Sequence, residues 1–191
     1  MGRAILAALE RAGVERFSLI GNCSGAVVGL SVARQTPSRL EQFYLLEPFA
    51  FVPWYLRLLL IPLAGRFFYW LSFGTPLGRR VANAVMADRR SEQTDLMAAF
   101  ADNRIEGPYE YLRMFRRLDR PERFCDVGGE KHLVRAGRTF GAVRDSMERW
   151  AEIWPEATRY RLEESGHLLI EEAPAELARI VFAANRVRSE G

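Results

Sequence analysis

The chain has 191 residues, enough for one domain with a real core or for a domain plus a lid, and its 49% hydrophobic and 27% charged content is ordinary for a globular protein. A net charge of +3 is too small to argue for nucleic acid as a partner. Two cysteines, Cys23 and Cys125, cannot build a disulfide framework, which fits a reducing, cytoplasmic setting, and Met1-Gly2-Arg3 leads into an amphipathic helix rather than a signal peptide.

In chain order, residues 2 to 13 place Ile5, Leu6 and Leu9 on one face and stop at Gly13, the pattern of a helix with a glycine cap. Residues 16 to 20 predict a strand. The next stretch, Gly21-Asn22-Cys23-Ser24-Gly25, brackets a nucleophilic side chain with glycines and passes at once into the apolar run Val27, Val28, Leu30, Val32. A strand that turns sharply into a helix through G-x-nucleophile-x-G is a nucleophile elbow, in which the glycines leave room for a strained central residue. Here that residue is Cys23, with serine one step out of frame. The helix ends near Gln35 because Pro37 cannot continue it, and Gln42 to Leu46 is an apolar strand suited to a parallel sheet covered on both faces.

Residues 48 to 126 do not read as sheet. An aromatic- and leucine-rich stretch from Trp54 to Leu71 is followed by helical patterns near 77–87, 92–101 and 108–118. Residues 51 to 73 are long enough to span a bilayer, but Pro53, Arg57, Pro62 and Arg66 lie inside the window, so a lid over an apolar pocket or a peripheral membrane contact fits better. After this come a strand at 131–136, a helix at 146–153 with Met147, Trp150 and Ile153 on one face, a strand at 157–162, Gly166-His167 in a turn, and a closing helix at 176–187 with Pro174 near its start. Alternation of strands and helices predicts a mainly parallel α/β sheet.

The elbow, the element order and Gly166-His167 followed by Glu171-Glu172-Ala173-Pro174 together resemble the α/β-hydrolase superfamily. The resemblance runs from about residue 2 to residue 187 and implies a hydrolase core at 1–47 and 127–191, with a helical cap at 48–126 inserted after the second visible strand. It also implies that four strands and a loop carrying one oxyanion-hole amide normally precede this segment, so a fragment or late start is expected, with an open sheet edge able to self-associate.

The resemblance implies Cys23 as nucleophile, His167 as base and the Ser24 amide as oxyanion donor. Cysteine at the elbow is similar to dienelactone hydrolases and polyhydroxyalkanoate synthases. The third member departs from the pattern, since Phe140 stands where an aspartate is usual. Glu47, at the end of the second strand as in certain haloalkane dehalogenases, and Asp145 are both candidates, and a site without an acid is a third outcome. Asn22 and Trp54 are candidate pocket residues. His132, opening a strand, reads as exposed and structural. No cofactor is implied, and no metal-ligand spacing is present. The expected activity is hydrolysis of an apolar ester, thioester or related acyl compound, with acyl transfer or non-catalytic binding of a ligand or partner as alternatives.

Overall fold

A computed structural model describes residues 2–85, 87, 109 and 112–189. Four strands form one parallel sheet in the order β1-β2-β3-β4: β1 Phe17–Asn22, β2 Leu40–Leu46, β3 Glu130–Ala136 and β4 Thr158–Leu162. Helix α1 is Gly2–Arg11 and α2 is Ser24–Ala33. After β2 come α3 (Trp54–Leu59), α4 (Ala64–Tyr69) continued by a π turn over Trp70–Gly74, and α5 (Pro76–Val85). Tight 3-10 turns at Met114–Asp119 and Pro121–Phe124 lead into β3. Helix α6 (Gly141–Ile153) joins β3 to β4, and α7 (Leu169–Glu172) and α8 (Pro174–Ser189) close the chain.

The sheet is covered on two sides, and the period-2 alternation of strand side chains decides which residue meets which cover. Phe43, Leu45 and Leu133 point into the larger core with α2 and α6. Tyr44, Leu46, Val134 and Ala136 point into a second core with Leu169, Leu177 and Val181 from α7 and α8. Helix α2 buries residues all round its circumference, from Ala26 to Ala33, because it is apolar on every side and wedged between sheet and neighbours. Trp150 and Trp154 of the α6 end stack at 4.6 Å and 14° and are fully buried, and the Trp154 indole N–H donates to the Phe124 carbonyl at 3.1 Å. Each such ring contributes on the order of 2–3 kcal/mol from burial.

Close packing at β1 and α2 explains two glycines. A Cβ on Gly21 would sit 2.6 Å from the Ala26 Cα, and one on Gly29 would meet the Phe43 ring at 2.9 Å. The first contact is with backbone and has no room to relax.

Several expectations are revised. Helix α6 begins five residues earlier than 146, because Val143 extends the buried face of Met147 and Trp150 back by a turn. Helix α1 buries no residue completely; Leu6 and Leu9 pack against the core while Ile5 is 37% exposed. His132 is buried, stacked on Tyr44 with ring centroids 4.3 Å apart, because β3 is an inner strand covered on both faces. The helix expected at 92–101 lies outside the described residues. Among the described residues, no helix is long and apolar enough to cross a membrane. Strand β1 is an edge of the sheet, and its Ile20 is half exposed.

Candidate active site

The site is built at the carboxyl ends of the strands, where a parallel α/β sheet presents its loops. Strand β1 ends at Asn22, and the backbone then turns at Cys23 with φ 48° and ψ −113° before α2 begins at Ser24. This is a left-handed conformation that costs a non-glycine residue on the order of 1–3 kcal/mol and persists only where its surroundings enforce it. The Cys23 N–H is tied to the Leu46 carbonyl at 2.7 Å, and the Ala26 N–H returns to the Cys23 carbonyl at 3.1 Å. Cys23 is thereby lifted over the amino end of α2, with the Ser24 amide as the first of that helix. Partial positive charge at a helix N-terminus favours a thiolate and a developing oxyanion.

One strand over, β2 ends at Leu46 and Glu47 adopts a second left-handed backbone, φ 52°. The Glu47 N–H donates to the Val134 carbonyl at 2.9 Å, which continues the sheet pairing past the strand end. The side chain is fully buried, and three donors hold it. The Ala136 N–H meets Oε1 at 2.6 Å, the Thr139 hydroxyl donates to Oε2, and His167 Nδ1 lies 2.8 Å from the same Oε2. A buried carboxylate is tolerable only when its lone pairs are met in this way.

His167 arrives on the turn after β4, and that turn is pinned. Arg138 N–H donates to the Ser165 carbonyl at 3.0 Å, the Ser165 hydroxyl to the Leu162 carbonyl at 2.8 Å, and the Gly166 N–H to Glu172 Oε2 at 2.8 Å. The imidazole is 7% exposed and meets the edge of the Phe140 ring at 4.7 Å between centroids. Burial disfavours its protonation, but hydrogen bonds to Cys23 and Glu47, and the negative charge of both, outweigh that and raise its pKa from 6.5 to about 10. At neutral pH the imidazolium form of His167 is therefore favoured, and because Glu47 occupies Nδ1, Nε2 is the ring atom left to meet other groups.

Sequence reasoning left the acid open, and the structure places Glu47 on His167. Asp145 is exposed on α6, lining a cavity of about 440 Å³ with Arg57, Glu122, Glu148 and Arg149, whose walls include neither Cys23 nor His167. Arg138, in the same loop as Thr139, reaches the Glu164 carbonyl at 3.1 Å and Glu172 at 3.9 Å. Asn22 is next to Cys23 in the chain, with a buried Oδ1 that has no hydrogen-bond partner among the described residues. Trp54 is 73% exposed on α3, packed edge-on against Tyr55, and so does not line an enclosed pocket. Cys125 is exposed, and its thiol donates to the Asp126 carboxylate, which pushes its pKa up. Thr139 is the participant that sequence reasoning missed; its only signal was its place in the loop where the usual acid was sought. Among the described residues, no three His, Cys, Asp or Glu side chains converge as a metal site.

The sequence matches the model of the alpha/beta hydrolase family over residues 3–180. The chain therefore belongs to the alpha/beta hydrolase family, and its class is that of hydrolases. Its fold is similar to that of a carboxylesterase from the ammonia-oxidizing thaumarchaeon Nitrososphaera gargenis, at 16% identity and TM-score 0.71, covering 99% of this chain and 71% of that one. It is similar also to a hydrolase from Pseudomonas aeruginosa PA01, at 16% identity and TM-score 0.72, covering 95% and 69%. A third is the meta-cleavage product hydrolase from Pseudomonas fluorescens IP01, at 14% identity and TM-score 0.62, covering 96% and 70%. No curated protein sequence matches the chain.

Proposed function

We propose that the protein hydrolyses an apolar ester, thioester or related acyl compound through Cys23, His167 and Glu47, with residues 48–126 acting as the lid that shapes the acyl pocket. The observation that carries this reading is the meeting of three strand ends: Cys23 on a strained elbow at a helix start, His167 close enough to feel the Cys23 sulfur, and Glu47 Oε2 2.8 Å from His167 Nδ1.

In the proposed cycle the Cys23 sulfur attacks the acyl carbon, and the carbonyl π electrons move onto oxygen, which the Ser24 amide stabilises. As the tetrahedral intermediate collapses, the carbon–leaving-group bond breaks and His167 Nε2–H delivers its proton to the departing alkoxide or thiolate. A thioester now joins the acyl group to Cys23. Water then attacks this thioester while the neutral His167 accepts its proton, and the sulfur departs as thiolate, which restores the ion pair and releases the carboxylic acid. Glu47 holds the ring with Nδ1 protonated and balances its charge in both steps. An alcohol or amine in place of water in the second step gives acyl transfer, and product analysis with an added acceptor separates the two outcomes.

Alkylation by iodoacetamide tests the nucleophile. Cys23 should react much faster than Cys125, whose thiol is held protonated by Asp126, and replacing His167 should slow Cys23 alone. Equal, slow labelling of the two cysteines would refute the assignment.

A further inference from the structure

Helices α3 to α5 carry an apolar surface that the hydrolase core does not use. Twelve of the sixteen large apolar side chains that the described residues expose lie between Trp54 and Val85. On α5, Leu77, Val81 and Val85 follow each other at helical spacing of four and are 72%, 56% and 75% exposed, so this helix turns its apolar stripe outward. The π turn and α4 add Phe67, Trp70 and Leu71, each about half exposed. Between α3 and α4, Leu63 is fully exposed on a left-handed backbone, φ 65°, a placement from which the protein's own core gains nothing.

The charge of the same segment selects the partner. From Pro48 to Ala87 the sequence has four arginines, Arg57, Arg66, Arg79 and Arg80, and no carboxylate. The chain's other 23 basic side chains are offset by all 24 acidic ones, so these four exceed the whole net charge of +3. Arg57 faces the acidic cavity of Asp145, Glu122 and Glu148, but short helices with outward aromatics and aliphatics whose own charged side chains are all cations have the composition of segments that lie in a membrane interface, where the rings enter the headgroup boundary and guanidinium groups meet phosphates. A protein partner of this size would be met by a surface with both signs of charge at its rim.

We infer that the α3–α5 surface docks on an anionic phospholipid bilayer, lying along it rather than spanning it. Docking in this manner does not depend on Cys23 chemistry, and it would bring apolar acyl compounds dissolved in the bilayer to the mouth of the site.

Vesicle flotation of the 191-residue chain tests the inference, using phosphatidylcholine alone and phosphatidylcholine mixed with phosphatidylglycerol, each at low and high salt. The chain should float with the mixed vesicles, weaken with salt, and bind the neutral ones far less. Removing charge in Arg80→Gln should weaken binding by about fivefold. Leu77→Ser with Val81→Ser should weaken it by roughly tenfold. These positions are solvent-facing or nearly so, and unchanged thermal unfolding shows that each variant folds. The Cys23→Ala chain should bind as the parent does. Equal binding to both vesicle types, no binding to either, or a dimer in light scattering that Leu77→Ser with Val81→Ser disperses would each overturn the inference, the last by assigning the surface to a second copy of this chain.

Discussion

Glu47 has the most constrained side chain in the site: a fully buried carboxylate on a left-handed backbone, with its two oxygens shared among Ala136 N–H, the Thr139 hydroxyl and His167. Glu47→Gln keeps the volume but removes the charge and allows the wrong imidazole tautomer. It should lower kcat/KM by roughly 10²–10⁴-fold while the fold persists, measured with an activated ester beside circular dichroism. Thr139→Val deletes one donor to the same oxygen and should cost about 1–3 kcal/mol of stability in denaturant unfolding. The pH dependence follows from His167. Its folded pKa, about 10, lies above its ordinary 6.5, so its protonation stabilises the fold fully below pH 6.5 and that stabilisation is lost as pH rises toward 10. The alkaline limb of kcat/KM should fall in the same range, as the proton for the leaving group disappears, and Glu47→Gln should move that limb to lower pH because one of the charges raising the pKa is gone.

At the scale of elements, the elbow depends on how closely α2 crosses the end of β1. Gly21→Ala would place a methyl 2.6 Å from the Ala26 backbone, and separating the two elements would shift Cys23 relative to His167. The expected result is a loss of about 3 kcal/mol or more together with activity. Gly29→Ala meets only the Phe43 ring, a side chain, and should cost less. Thermal unfolding of the pair measures the difference. The turn that presents His167 is likewise held from one helix away, by Glu172 on the Gly166 N–H.

For the whole molecule, the order of strands and helices was legible because each apolar run is either short and bounded or helically spaced, and parallel strands need crossover helices to join them. The elbow and His167 were legible because glycines and a rare residue type mark them. The acid could be narrowed only to Glu47 ahead of Asp145, because a hydrogen bond between β2 and β4 ends is set by the spatial order of strands, which brings positions 120 residues apart within 2.8 Å. His132 was misjudged for a related reason: its burial comes from Tyr44 on the neighbouring strand and from Tyr160, whose hydroxyl is 3.4 Å from its Nδ1, and neither is near in sequence. The first turn of α6 was missed because the helix was placed from Met147, Trp150 and Ile153 alone, whereas Val143 also lies on its buried face. The larger core should respond most to its stacked tryptophans, and Trp150→Ala should destabilise by about 3–5 kcal/mol in denaturant unfolding.

The central claim is that the reacting atom is the sulfur of Cys23, and mass spectrometry of the chain quenched during turnover of activated acyl esters tests it most directly. The account predicts an acyl adduct on the peptide containing Cys23, absent in Cys23→Ala and accumulating more slowly in His167→Ala. An adduct on Cys125, or steady hydrolysis by the Cys23→Ala chain with no adduct on Cys23 in the parent, would contradict it.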